Sequence, residues 1–166
     1  PRKIMFIYKA GVVGAGAMGS EIAQVVSYSG LPVVLKDVNQ DLVEKGMARI
    51  REIYARRVSK GKMTPADMEA KLSLITPATN YESFRDVDII IEAVPEKMEL
   101  KKKVFQEIEK SVGEGTIFAS NTSALSISEM GAATHRPQKV IGMHFFYPAH
   151  VMKLVEVIPG LATNQE

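Results

Sequence analysis

The sequence predicts an α/β fold, a doubly wound and mostly parallel sheet, on three observations. Short β-branched runs alternate with longer stretches of helical periodicity along the chain. Those runs are apolar nearly throughout, as strands covered on both faces are. The first of them enters a glycine-rich turn that opens directly onto a helix. At 166 residues the chain has the length of one domain with a real core.

The first element is Ala10-Gly11-Val12-Val13 leading into Gly14-Ala15-Gly16-Ala17-Met18-Gly19, with Ser20 to Val26 leaving at helical spacing. Gly14 permits the turn, Gly16 lets the backbone approach a pyrophosphate, and Gly19 lets the helix pack on the strand. The amides of the turn, Ala15, Ala17 and Met18 among them, then face the negative charge at the helix N-terminus. A simple tight turn has the same pattern, so the next strand supplies the context. Leu31 to Lys36 is a second apolar run, and it ends in Asp37, 18 residues past Gly19, near the ~20 expected for an acid that holds a ribose 2′-hydroxyl. Asp37 favours NAD over NADP, whose 2′-phosphate it repels; Lys36 beside it is the residue that would tolerate that phosphate.

Residues from about 40 to 60 read as one helix, with Leu42, Val43, Met47, Ile50, Ile53 and Tyr54 at spacings of three, four and seven. Gly61-Lys62 ends it, and Thr64-Pro65-Ala66-Asp67 starts another with an N-cap, a first-turn proline and a capping acid. A helical hairpin inserted after the second strand follows. Its Arg49, Arg51, Arg56, Arg57, Lys60 and Lys62 are either a solvated face or a seat for an anionic substrate tail.

A short extended piece opens at Ile75, Asn80 to Asp86 is turn-like, and Val87 to Ile91 is a strand that delivers Glu92 to Lys97 to its carboxyl end, the edge where ligands sit in such sheets. Met98 to Val112 is an amphipathic helix with Leu100, Val104, Phe105 and Ile108 inward and Lys101, Lys102 and Lys103 at least partly outward. Gly115 to Ser120 is the next strand, with Asn121-Thr122-Ser123 beyond it. Ser126 caps a short helix from 127 to 133 with Glu129 three residues on. The strand Lys139 to Met143 then ends at His144, and a last extended run, Leu154 to Ile158, carries Glu156 between apolar neighbours.

Composition narrows the function. A formal charge of +2 shows no general basic excess for a polyanion partner such as nucleic acid, and no run approaches the ~20 apolar residues of a membrane span. The absence of cysteine removes a disulfide scaffold, a thiolate nucleophile and Cys-ligated zinc; no paired histidines stand at ligand spacing; and the cytosol is the natural expectation, with a mitochondrial or peroxisomal matrix still open. Ser123 lacks the glycine-flanked elbow of a hydrolase nucleophile. Of three histidines, His144 alone ends an apolar strand, and Glu156 is the acid in a similar run. Paired, they make a base: the carboxylate fixes the imidazole tautomer, and the free ring nitrogen accepts a hydroxyl proton. A structural histidine and a separately paired glutamate would give the same spacing. Asn121, Thr122 and Ser123 are either hydrogen-bonding partners of a nicotinamide ribose and a substrate oxygen or an ordinary capping loop.

Taken together, Gly14-Ala15-Gly16-Ala17-Met18-Gly19, Glu92-Ala93-Val94-Pro95-Glu96-Lys97, Ser120-Asn121-Thr122-Ser123 and His144-Phe145-Phe146-Tyr147-Pro148 with Met152 to Val157 resemble the N-terminal NAD-binding domain of the L-3-hydroxyacyl-CoA dehydrogenases over nearly the whole chain. The resemblance implies a Rossmann-type domain over residues 1–166, and NAD-dependent oxidation of the 3-hydroxyl of an L-3-hydroxyacyl-CoA to the 3-oxo thioester in fatty-acid β-oxidation. It implies His144 as the base, Glu156 as the acid that orients it, and Ser123 as a contact of substrate and cofactor. Gly14, Gly16, Gly19 and Asp37 fall on the dinucleotide site, and Glu92 and Lys97 on further cofactor positions; Asn121 is counted among the cofactor-binding candidates. The helical hairpin is where such enzymes receive part of the CoA. The family also implies a helical C-terminal domain that closes the site and forms a homodimer. The sequence, which starts at Pro1 and stops at Glu166, is expected to be a piece lacking that domain and to turn substrate over poorly by itself. Fusion to an enoyl-CoA hydratase, as in multifunctional β-oxidation proteins, is open. Tyr147 stands where the family usually has Asn. Two other readings are a small hydroxy-acid dehydrogenase, against which the His144 and Glu156 pair speaks, and a non-catalytic dinucleotide-binding or structural relative.

Overall fold

The computed structural model describes residues 5–165. Seven strands form one sheet: β1 (Ala10–Val13), β2 (Val33–Lys36), β3 (Ile75–Ala78), β4 (Ile89–Glu92), β5 (Ile117–Ser120), β6 (Val140–Phe145) and β7 (Val155–Pro159), in the order β3-β2-β1-β4-β5-β6-β7. The first six run parallel and β7 returns antiparallel to β6. The order reverses between β1 and β4. All six parallel strands therefore end on one edge, with a crevice where the two halves diverge. This is the doubly wound, mostly parallel α/β sheet expected.

Five helices cover the faces: α1 (Ala17–Tyr28), α2 (Gln40–Ser59), α3 (Pro65–Leu72), α4 (Met98–Glu109) and α5 (Ile127–Ala132). Helices α2 and α3 are the predicted hairpin. Thr64 and Asp67 form a reciprocal capping box, and Ser126 caps α5 through the Glu129 amide. One core layer joins α1 and α2 to the sheet through Ile22, Ala23, Leu35, Ile50 and Tyr54. The other joins α4 and α5 to it through Phe84, Phe105, Ile108, Phe118 and Met130. The Tyr54 hydroxyl is buried with them; it donates to the Gln24 carbonyl and lies 2.6 Å from Ser27 Oγ, so no polar atom of the ring is left unpaired. No helix of the described residues is long and apolar enough to cross a membrane.

Several expectations are corrected. Lys101 does not point outward: it is 1 % exposed against Glu92, because it occupies the same helical face as Val104, Phe105 and Ile108. Helix α4 ends at Glu109 rather than Val112. Strand β6 starts one residue later than expected and continues through Phe145, so His144 lies within it, and the apolar run around Glu156 is an exposed edge strand.

Candidate active site

The site grows from the β1 to α1 turn. Gly14 takes φ +105°, a region closed to side chains, and a Cβ on Gly19 would lie 1.6 Å from the Gly14 carbonyl oxygen. The turn is thus folded back onto the helix start, as the glycine spacing requires. Gly16, the N-cap, has nothing within 4 Å of where its Cβ would be, and no side chain caps the helix. The first N–H groups of α1 therefore face open space, a cradle that fits a pyrophosphate. Asp37 stands beside it at the end of β2, accepting from the Ala15 and Val38 amides at 2.7 Å each, so the Ala15 amide, expected to face the pyrophosphate, is turned to Asp37 instead. Lys36 points away: it is buried with its ammonium 4.2 Å from the centre of the Tyr81 ring. The residue that would tolerate a 2′-phosphate is thus packed on an aromatic ring rather than exposed.

Across the crevice, the loop after β4 is organised from below. Glu92 is fully buried rather than available to a ligand. It accepts from the Val94 amide at 2.7 Å, from Lys101 Nζ at 2.7 Å and from Ser120 Oγ at 2.6 Å. Lys101 also donates to the Val94 carbonyl and stands 3.5 Å from Glu96. The carboxylate and ammonium thus tie the β4 edge to β5. Lys97, by contrast, is exposed at the N-cap of α4.

The Ser-Asn-Thr-Ser stretch divides its work residue by residue. Ser120 is buried on Glu92. Asn121 Oδ1 accepts the Phe145 amide at 2.8 Å, pinning β5 to the strand that carries His144 and leaving its amide group free to donate. Thr122 donates to Glu96 and accepts from the Ala124 and Leu125 amides, which shapes the turn. Of the four, Ser123 alone is exposed. Ser120, Glu96 and Lys101 had no assigned role in the expected site, and Thr122 takes the turn-shaping role of its two readings. The sequence signal for Lys101 was its helical register.

His144 and Glu156 meet because β6 and β7 are antiparallel and pair these two positions directly. The imidazole Nδ1 lies 3.1 Å from Glu156 Oε2, and the ring packs on Phe146 with centroids 4.8 Å apart. A proton on Nδ1, held by the carboxylate, makes Nε2 an acceptor. Tyr147 follows, 65 % exposed. His135, on a distant loop, instead pairs with Glu109.

A second depression lies between α1, α2 and the segment from β6 to β7, with a volume of about 630 Å³. Arg56, Arg57, Lys60, Lys62, His150 and Lys153 line it, and no acid does. Arg57 stacks on Tyr28, and among the described residues Lys60, Lys62 and Lys153 have no carboxylate at ion-pair distance. The apolar remainder includes Val25, Ile53 and Met152.

A glycine cradle with an acid at the end of the next strand, on a sheet of this order, defines a dinucleotide-binding domain. The chain belongs to the 3-hydroxyacyl-CoA dehydrogenase NAD-binding domain family, whose model matches residues 9–166, and its dinucleotide is NAD. It is 44% identical over 160 residues to the fatty acid oxidation complex subunit alpha of Acinetobacter baumannii strain SDF, covering 96% of this chain and 22% of that protein. Among solved structures it is similar to (S)-3-hydroxybutyryl-CoA dehydrogenase PaaH1 from Ralstonia eutropha, with 44% identity and a TM-score of 0.94 over 96% of this chain and 56% of that one. FadB2 from M. tuberculosis gives 38% identity and a TM-score of 0.94, over 97% and 57%. The chain spans about a fifth of the length of the curated relatives it matches.

Proposed function

We propose that this domain serves the NAD-dependent oxidation of the 3-hydroxyl of L-3-hydroxyacyl-CoA to 3-oxoacyl-CoA in fatty-acid β-oxidation. The observation that carries the reading is the His144 and Glu156 pair at the edge where the glycine cradle also opens. His144 Nε2 takes the hydroxyl proton, and Glu156 holds the Nδ1 proton and stabilises the imidazolium as it forms. NAD held along the cradle would supply the acceptor for the hydride that leaves C3 as the carbonyl forms. Ser123 donates to the substrate oxygen, Asn121 offers its free amide to the nicotinamide ribose, and Asp37 takes the adenosine ribose. Gly14 to Gly19 hold the pyrophosphate. Lys97 is at the mouth of the crevice, whereas Glu92 acts from beneath through Val94 and Ser120 rather than by contact.

The acid-free groove supports CoA as the carrier. Its unpaired lysines suit phosphates, its apolar wall suits the rest of the tail, and its floor is the segment that follows His144. The apolar side chains exposed along β7, Val155, Val157 and Ile158, with Leu154 before them, support a further part of the protein closing the site and making a dimer contact. The test is reduction of acetoacetyl-CoA by the complete gene product with NADH and with NADPH, beside His144→Gln. The expected result is turnover with NADH, little with NADPH, and a loss of about a hundredfold or more in kcat in the variant. Turnover unchanged by the substitution would remove the mechanism.

A further inference from the structure

A second histidine and carboxylate meet at a place the proposed reaction does not use. Glu21 lies on α1, two residues past the last glycine of the cradle, and is 7 % exposed. Its Oε2 accepts the Ala149 amide at 2.6 Å and stands 3.3 Å from His150 Nδ1. Ala149 and His150 belong to the segment between β6 and β7, which joins His144 to Glu156. The other backbone hydrogen bonds of this segment turn inward, from the Val151 and Met152 amides to the Pro148 carbonyl. Ala149 is itself buried in the core layer that holds Ala15 and Ile22. A buried carboxylate is costly unless it is hydrogen-bonded, and here its acceptor is spent on a strand-connecting loop.

We propose that Glu21 is a positioning residue: it fastens the hairpin carrying His144 and Glu156 to the helix that receives the dinucleotide, and so sets the distance between base and cofactor. This rests on the reading of His144 as the base. Hydride and proton leave neighbouring atoms of one substrate, so the two receiving groups must be held in fixed relation, and they come from opposite halves of the sheet. Strand β6 carries His144 on one side of the switch point, while the cradle lies on the other. Asn121 fixes the near end of the hairpin through Phe145; Glu21 reaches across from the far side and fixes its loop.

The test compares Glu21→Ala and Glu21→Gln in the complete gene product. The glutamine keeps a carbonyl acceptor for the Ala149 amide, and the alanine keeps none. NADH affinity from cofactor fluorescence is expected to stay within about twofold in both, since the glycine turn is untouched. The kcat for acetoacetyl-CoA is expected to fall on the order of tenfold to a hundredfold in the alanine variant, with recovery to within about threefold in the glutamine variant. Nitrogen NMR of labelled histidine gives a readout free of turnover. The His144 ring signals are expected to move in the alanine variant and to match the parent in the glutamine variant. Should the parent itself fail to turn over the substrate, the reaction proposed above is wrong, and the NMR comparison alone decides on Glu21. Unchanged kcat and unchanged His144 signals in the alanine variant would overturn the proposal. So would a fall in kcat that the glutamine fails to rescue, or one matched by an equal loss of NADH affinity and melting temperature.

Discussion

The buried ion pair beneath the crevice gives the sharpest energetic prediction. Lys101 and Glu92 are 1 % and 0 % exposed and 2.7 Å apart. In Lys101→Met the thioether replaces the aliphatic stem, so little cavity is left, and the change isolates the ammonium. Glu92 then stays buried without its counter-ion. Breaking such a pair costs about 3–5 kcal/mol, and two charge-assisted hydrogen bonds remain to the carboxylate, from Val94 N–H and Ser120 O–H, which puts the expected loss near the lower end, about 3 kcal/mol. That is a large part of the ~5–15 kcal/mol by which domains are stable. The double variant Glu92→Gln with Lys101→Met removes both charges and keeps both partners, because the amide oxygen accepts from Val94 and the amide nitrogen donates to Ser120. It is expected within about 1 kcal/mol of the parent. Urea unfolding at matched m-values reads both. A single-variant loss below about 1 kcal/mol, or a double variant no more stable than the single, would refute the argument that the pair is held as two ions.

Two further predictions concern the cradle and the far layer. In Gly19→Ala the new Cβ meets backbone at 1.6 Å, so the turn must open: a loss of about 2 kcal/mol or more is expected, with NADH binding weakened at least tenfold in a fluorescence titration. Gly16→Ala meets nothing in the protein and is expected to melt like the parent while still binding NADH more weakly; equal behaviour of the two variants would argue against the cradle. Burial, then Glu107, pushes the Tyr81 phenol above its usual range, and burial does the same to Tyr54. Above pH 10 the unfolded phenols release protons that the folded ones keep, so stability falls as pH rises, by up to about 1.4 kcal/mol per pH unit for each group. Melting temperature between pH 9 and 11 is expected to fall less in Tyr81→Phe than in the parent; identical slopes would contradict the assignment.

The elements legible in the sequence are those whose chemistry is local. The glycine turn, Asp37 at a strand end, the Thr64 and Asp67 box and the Ser126 cap each specify their conformation within a few residues, and each is found where expected. What was misread depends on a partner distant in sequence. Glu92 looked like a ligand-facing acid because strand ends face the crevice; only the approach of Lys101 and Ser120 shows that it is enclosed. Lys101 looked like solvating charge within a lysine triplet, although its spacing to Val104, Phe105 and Ile108 already placed it on the inward face. Glu21 carried no signal, since its partners are 128 and 129 positions away.

The contact between His144 and Glu156 comes from strand register. Glu156 was read between apolar neighbours, and β7 proves to be an edge strand whose residues are all exposed, with the Glu156 side chain 54 % exposed. Burial does not bring the two together. Register does: Gly142 pairs with Ile158, Met143 with Val157 and His144 with Glu156, so a slip of one residue would turn the carboxylate to the opposite face. An exposed edge strand specifies its register weakly through packing, which leaves the connection between the strands to set it. That connection runs from Phe146 to Leu154 and is held by Glu21 through Ala149. On this argument the orientation of the base depends on a carboxylate of the dinucleotide helix as much as on its own partner.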